Sequence, residues 1–289
     1  MSEVKSLQEI KKIWPKNAPN INNVSKYILK YKNEKIVIKC GGNVLIDPDL
    51  FKNFIEDIAL LNKLGLTIVI VHGGGPRIKN KLSELNIKSF FIRGLRVTDK
   101  NVISIVENVL IEFNKEIVAA LNDVSCKARS ITTKETNIIS VKPERAELGF
   151  VGIPEKIESD TLKNIMDSGT IPILAPMGLD KNTLPYNINA DTAAGAVAKA
   201  LNSRRLLLMT NVEGVYDKNK KLIPEITASE ANKMIDEGII VSGMIPKINT
   251  CIDSVNNGVK GVVIIDGRRP HSILYEIFSD KGAGTLMRK

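Results

Sequence analysis

Apolar residues return along this chain in two rhythms. Short unbroken runs, such as Ile36-Val37-Ile38 and Ile68-Val69-Ile70-Val71, alternate with longer segments whose apolar positions recur every three or four residues. The first rhythm belongs to a strand buried on both faces, the second to a helix with one buried face. The pattern predicts strands at 36–39, 67–71, 171–175, 205–209 and 261–265. It predicts helices at 48–64, 76–85, 99–121, 159–167, 191–202, 228–237 and 245–256. Helix 48–64 gathers Phe51, Phe54, Ile55, Ile58, Leu61 and Leu64 on one side, with Asp47 as N-cap, Pro48 in the first turn and Gly65 as the stop. Strands alternating with helices of ten or so residues define an α/β chain: a three-layer αβα sandwich around a mostly parallel, open sheet.

Three stretches stand outside this alternation. Residues 1–15 carry Val4, Leu7, Ile10 and Ile13 at helical spacing before Trp14-Pro15, and a second helical segment, 24–31, follows the turn Asn17–Asn23. This leading region reads as an added docking helix. Residues 123–160 read as short strands and turns, with alternation over Asn137–Val141. Leu179–Pro185 is polar and turn-rich, which suggests a boundary. The expected division is an extension over 1–31, a first lobe over 32–184 and a second over 185–289.

Composition narrows the class. The chain has 289 residues, 43% hydrophobic and 25% charged, the balance of an ordinary globular protein. No apolar run approaches the roughly 20 residues of a membrane span, and the N-terminus lacks a charged-then-apolar signal pattern. The expectation is a cytoplasmic protein without membrane association. The three cysteines, Cys40, Cys126 and Cys251, are widely spaced and odd in number, which fits reduced thiols. The net charge of +9 is scattered and aromatics are only 4%. That argues against base-stacking platforms, hence against nucleic acid, and is compatible with attraction of an anionic substrate.

The candidate chemistry lies where strands end. Two apolar runs break into glycine turns, Lys39-Cys40-Gly41-Gly42 and His72-Gly73-Gly74-Gly75-Pro76, and a helix follows each. Backbone N–H groups at such turns, backed by a helix N-terminus, suit an anion. Lys39 would project over the carboxyl edge of the sheet, or snorkel there as a plain strand-end lysine. His72 reads as a structural hydrogen-bonding residue and Cys40 as a small apolar one. Arg96, in the loop Gly94–Thr98, suits bidentate carboxylate recognition. Asn187-Ile188-Asn189-Ala190-Asp191 opens a helix with more polar groups than one cap requires, so Asp191 either caps or holds lysines. Lys247 sits in a first helical turn, where a cation is unfavourable unless an anion joins it. No G-x-x-x-x-G-K-[ST], G-x-G-x-x-G or protein-kinase motif occurs, and His72 and His271 are the only histidines, too few for a histidine metal site.

Taken together, Lys39-x-Gly-Gly, His72-Gly-Gly-Gly-Pro, Gly94-Leu-Arg-Val-Thr, Tyr186-Asn-Ile-Asn-Ala-Asp191 and Gly243-Met-x-x-Lys247 resemble the amino acid kinase family, from about residue 24 onward. The resemblance implies ATP with Mg²⁺ as phosphoryl donor and the γ-carboxylate of N-acetyl-L-glutamate as acceptor, in arginine biosynthesis. It implies that Lys39 and Lys247 contact the transferred group and that Asp191 orients both. Gly41, Gly42, Gly74 and Gly75 would offer N–H groups to phosphate and to the reacting carboxylate. Arg96 and Asn187 would grip the α-carboxylate side, with acceptor binding and dimerisation in the first lobe. Thr210, Asn211, Val212, Glu213 and Gly214 would border an ATP site in the second. The extension and the tail carrying His271, Glu276, Gly282 and Gly284 resemble the helix and effector region of arginine-inhibited relatives, implying a homodimer-based homohexamer with arginine as effector. A PII-type regulator is a partner open to this family. Residues 125–135 lack the glycines the family carries there, which bears on acceptor preference. Two other readings stay open. One is a kinase for another small carboxylate, aspartate or an aminoadipate derivative. The other is a non-catalytic amino-acid sensor, which would be expected to lose Lys39, Asp191 or Lys247.

Overall fold

The apolar run at 36–38 does become the middle of a sheet. The computed structural model describes residues 7–21, 24–241 and 243–289. Val4 of the expected first helix and Asn22 and Asn23 of the expected turn lie outside the described residues. The chain begins with α1 (Leu7–Ile13), α2 (Val24–Tyr31), β1 (Lys35–Cys40), α3 (Pro48–Lys63), β2 (Thr67–His72), α4 (Gly75–Glu84), β3 (Phe91–Ile92), β4 (Leu95–Arg96) and α5 (Lys100–Asp123). It continues with β5 (Ala128–Ile131), β6 (Ile139–Pro143), β7 (Gly152–Ile157), α6 (Ser159–Asp167), β8 (Ile171–Leu174), β9 (Met177–Leu179), β10 (Pro185–Asn187) and α7 (Ala190–Ala200). The rest is β11 (Arg205–Thr210), β12 (Glu225–Thr227), α8 (Ala228–Asp236), α9 (Met244–Asn256), β13 (Val262–Asp266), α10 (Ser272–Phe278) and β14 (Gly284–Arg288).

The main sheet has eight strands in the order β12-β14-β13-β11-β1-β2-β8-β5, and all neighbours are parallel except β13 and β14. After β1 the chain builds to one side through β2, β8 and β5, and later to the other through β11 and β13. The switch at β1 opens a crevice at the carboxyl ends of the strands, where open α/β sheets bind ligands. Successive residues of the central strands serve opposite faces. Ile36, Ile38, Ile68, Ile70, Leu207 and Val263 pack with residues of α3, α5 and α10. Val37, Val69, Val71, Leu206, Leu208 and Val262 pack with residues of α6, α7 and α9. Each such side chain contributes about 1.5–3 kcal/mol of burial, which is why these runs are strands and not surface loops.

The local signals behave as their chemistry requires. Asp47 accepts from the N–H groups of Asp49 and Leu50 and starts α3, and Asp99 does the same for Asn101 and Val102 at α5. The stretch 179–185 is the turn of an antiparallel hairpin, β9 with β10, in a four-stranded sheet ordered β10-β9-β6-β7. In the tail, α10 buries Ile273, Leu274, Ile277 and Phe278, and β14 joins the main sheet. The leading helices pack on that tail. Trp14 meets Phe278 edge-on at 5.3 Å, and the Tyr27 hydroxyl donates to Asp280 at 2.6 Å.

Candidate active site

Lys39 and Val71 are register partners, as are Cys40 and His72, so the two glycine turns leave the sheet side by side. The Gly73 N–H donates to the Cys40 carbonyl at 2.7 Å and ties them together. Gly42 has φ +65°, and a Cβ there would overlap the Asn211 side chain. A Cβ at Gly41 would overlap the Lys39 ammonium, which folds over the first turn. A cavity of about 270 Å³ opens between the turns, walled by Lys39, Gly42, Gly74, Gly75, Arg96 and Asn187, with Leu95, Leu110, Val151 and Ile188 supplying apolar surface.

At one end of this cavity three charges meet. Lys39 Nζ lies 3.1 Å from Asp191 Oδ1, and Lys247 Nζ lies 2.5 Å from Asp191 Oδ2. The lysines arrive from β1 and from the first turns of α9; the aspartate arrives from the start of α7. All three side chains are largely buried, at 11–15% exposure. Burial works against the Asp191 charge, yet the two ammonium groups hold its carboxyl well below the usual carboxylate range. Asn189 is the helix cap, accepting from the N–H groups of Asp191 and Thr192 at 2.9 and 3.2 Å. Asp191 is therefore free of capping, and its carboxylate serves the lysines. The cluster carries one surplus positive charge in a poorly solvated place, an arrangement that favours an anionic ligand.

Arg96 ends the β3–β4 hairpin. Burial lowers its pKa, its guanidinium stacks 4.8 Å from the Phe91 ring, and it bonds the Ser89 hydroxyl and the Gly75 carbonyl. Asn187 reaches Thr98 at 3.4 Å across the cavity wall. His72 is fully buried, and burial pushes its pKa down to about 4, so a neutral ring stands behind the second turn. Burial pushes the Cys40 thiol up to about 12, which leaves it unreactive.

The segment after β11 is divided in its roles. The Asn211 side chain reaches Gly42, Thr210 ends the strand, Val212 packs on the core, Glu213 accepts from the Tyr216 hydroxyl, and Gly214 lies against Thr285. The tail residues separate. Glu276, Gly282 and Gly284 line a second cavity of about 420 Å³, together with Lys30, Tyr31 and Arg205. His271 is not there: its Nδ1 faces Asp57 of α3 at 2.6 Å in a buried pair. Residues 125–135 do not line the first cavity among the described residues; Glu107 of α5 pins their turn through Thr133 at 2.6 Å and Lys134 at 3.2 Å. Sequence reading passed over Asn114, Arg205 and Tyr31. For Asn114 a signal existed, a polar residue on the apolar face of a long helix.

The geometry belongs to a known group. The chain belongs to the amino acid kinase family, whose model matches residues 34–266. Its sequence falls among the acetylglutamate kinases of that family. It is 57% identical to the acetylglutamate kinase of Pelagibacter ubique, over 98% of both chains. It is 42% identical to that of Rhodospirillum centenum, over 95% of this chain and 94% of the other. Among solved structures, N-acetylglutamate synthase from Neisseria gonorrhoeae, complexed with coenzyme A and N-acetyl-glutamate, superposes with a TM-score of 0.85 at 22% identity. The match covers 99% of this chain and 64% of that one, a likeness of fold. Carbamate kinase from Giardia lamblia bound to AMP-PNP superposes with a TM-score of 0.68 at 18% identity, over 89% of this chain and 98% of that one.

Proposed function

We propose that this chain transfers the γ-phosphoryl group of ATP to the γ-carboxylate of N-acetyl-L-glutamate, forming an acyl phosphate on the route to arginine. The observation that carries the reading is the Lys39–Asp191–Lys247 cluster beside two glycine turns. The acceptor carboxylate is ionised at neutral pH and is itself the nucleophile. No general base is needed, in keeping with the buried, neutral His72. Catalysis then consists of bringing two anions together and stabilising the charge on the moving phosphoryl group. Lys39 and Lys247 do this from opposite sides, with Asp191 holding both. Gly41, Gly42, Gly74 and Gly75 offer backbone N–H groups. Arg96 and Asn187 take the α-carboxylate end, and the apolar wall takes the acyl group.

Thr210–Gly214 border the nucleotide in the lobe formed by 185–289, and 32–184 hold the acceptor. Mg²⁺ enters with ATP, held largely by phosphates and water. No helix among the described residues is long and apolar enough to cross a membrane. The 420 Å³ cavity is the arginine effector site in this reading. Its anion is Glu276, whose carboxyl burial raises and which accepts from the Ala283 N–H at 3.0 Å. The leading helices join subunits into a hexamer.

The test is hydroxylamine trapping of acyl phosphate with ATP, Mg²⁺ and a panel of acceptors: N-acetyl-L-glutamate, N-acetyl-L-aspartate, aspartate and 2-aminoadipate. Hydroxamate formed chiefly from N-acetyl-L-glutamate supports the reading. Preference for another carboxylate moves it to a sister kinase, and no hydroxamate at all makes the chain a sensor.

A further inference from the structure

The turn Gly73–Gly75 has no side chains of its own, so its peptide planes are held from outside. His72 supplies one hold. Its ring is fully buried at the end of β2, edge-on to Phe113 at 5.2 Å. The Nδ1–H donates to the Gly73 carbonyl at 2.8 Å, and Nε2 accepts from Asn114 Nδ2 at 3.2 Å. That same amide nitrogen donates to the Ile173 carbonyl on β8 at 2.8 Å. These partners fix the tautomer: a carbonyl only accepts and an amide NH₂ only donates, so the ring proton sits on Nδ1. Asn114 Oδ1 has no hydrogen-bond partner among the described residues, so Asn114 is held there by its NH₂ group.

A trans peptide points its C=O and N–H in opposite directions, and no cis peptide occurs among the described residues. Turning the Gly73 carbonyl towards the ring therefore turns the Gly74 N–H away from it. Gly74 lines the acceptor cavity. The planes on either side are fixed too, by Gly73 N–H to Cys40 and by Ile78 N–H to the Gly74 carbonyl at 2.9 Å. We infer that His72, oriented by Asn114, is a positioning residue that aims the Gly74 N–H at an oxygen of the phosphoryl acceptor. The inference rests on the kinase reading above and adds a line of three residues, from α5 through the end of β2 to the reacting carboxylate.

His72→Leu keeps apolar volume and removes the hold on Gly73. His72→Asn returns an amide donor close to the position of Nδ1. The expected result is a kcat at least tenfold lower in His72→Leu, with KM for ATP within twofold, and recovery in His72→Asn to within about threefold of wild type. Equal activities of the two variants, or a loss in melting temperature with kcat unchanged, would overturn the inference. A second measurement needs no variant. With ¹⁵N-labelled histidine in the wild-type chain, the two imidazoles are resolved, and His72 should carry its proton on Nδ1 alone at pH 7. A proton on Nε2, or an imidazolium, would overturn the inference. Wild-type protein that makes no acyl phosphate rejects the kinase reading, and the ring spectrum then still decides whether His72 holds the turn.

Discussion

Asp191 holds two lysines by different oxygens, and that division is what makes the site a charge clamp and not a simple ion pair. In the proposed reaction, removing either ammonium group takes a stabilising charge from the migrating phosphoryl group, worth about 10²–10³ in rate for one well-placed donor. Lys39→Ala and Lys247→Ala are therefore expected to lower kcat by about that factor while KM for the acceptor moves only a few-fold. Steady-state kinetics with N-acetyl-L-glutamate checks this, and near-normal kcat in either variant would remove that lysine from the mechanism. Lys247 was legible in the sequence because a lysine in a first helical turn is misplaced unless an anion joins it. Asn189 and Asp191 were ambiguous, since both residue types cap helices; only the observed bonds assign the cap to Asn189. The role of Asn114 was out of reach, because it depends on α5 lying across the ends of β2 and β8.

Two helices bring the lower half of the clamp together. α7 carries Asp191, α9 carries Lys247, and they approach closely at Gly195, where a Cβ would stand 2.9 Å from Thr250 Cγ2 and 3.0 Å from Ser254 Oγ. Outside this contact Lys199 pairs with Asp253. Gly195→Ala is expected to destabilise the fold by about 1–3 kcal/mol through overpacking, and Thr250→Ser, which removes the opposing methyl, should return part of that loss. Urea unfolding of the single and double variants decides it.

A second pair of elements, α3 and the start of α10, is joined by Asp57 and His271. The hydrogen bond to Asp57 raises the His271 pKa, and burial raises Asp57 to about 6. His271 gains proton affinity on folding, so the stability its charge contributes is fully present below its unfolded value, about 6.5, and fades as pH rises through its folded one, whereas the Asp57 contribution is already lost as pH rises through about 6. His271→Gln should therefore cost more stability at pH 6 than at pH 9, as urea titrations at the two pH values would read. The main strands and helices were legible from periodicity alone. The β9–β10 hairpin was not, because its strands are three residues each and flank a polar turn. α10 was missed because it is short and nearly all apolar, a pattern that periodicity cannot separate from a strand.

At the scale of the molecule, the leading helices and the tail form one unit. Ile10 is buried, Trp14 meets Phe278, and the 420 Å³ cavity is bounded by α2 on one side and α10 and β14 on the other. Deleting residues 1–15 is expected to lower the melting temperature and, on the proposed hexamer and arginine site, to reduce the oligomer seen in sedimentation and weaken inhibition by arginine. Unchanged oligomer size and arginine response would show the leading segment to be decoration. The fold class could be read from the sequence because it rests on local patterns, whereas the meeting of Lys39, Asp191 and Lys247 joins three distant positions and was only implied by the resemblance. The partition of His271 from Glu276 could not, since it depends on which side of α10 meets α3.

The pairing at the centre of the sheet also fixes the order of events in synthesis. Glu34, at the entrance to β1, finds Arg204 only 170 positions later, and Tyr27 finds Asp280 only 253 positions later. While the ribosome is still making the second half, β1 has β2 on one side and an open edge on the other. Pairing across such long separations is slow, and an unpaired edge invites other chains. A nascent chain arrested before residue 205 should bind chaperones, and fragments ending there should be insoluble and inert, because they keep Lys39 and Asp191 but lack both the strand that covers the open edge of β1 and Lys247, which follows it on α9.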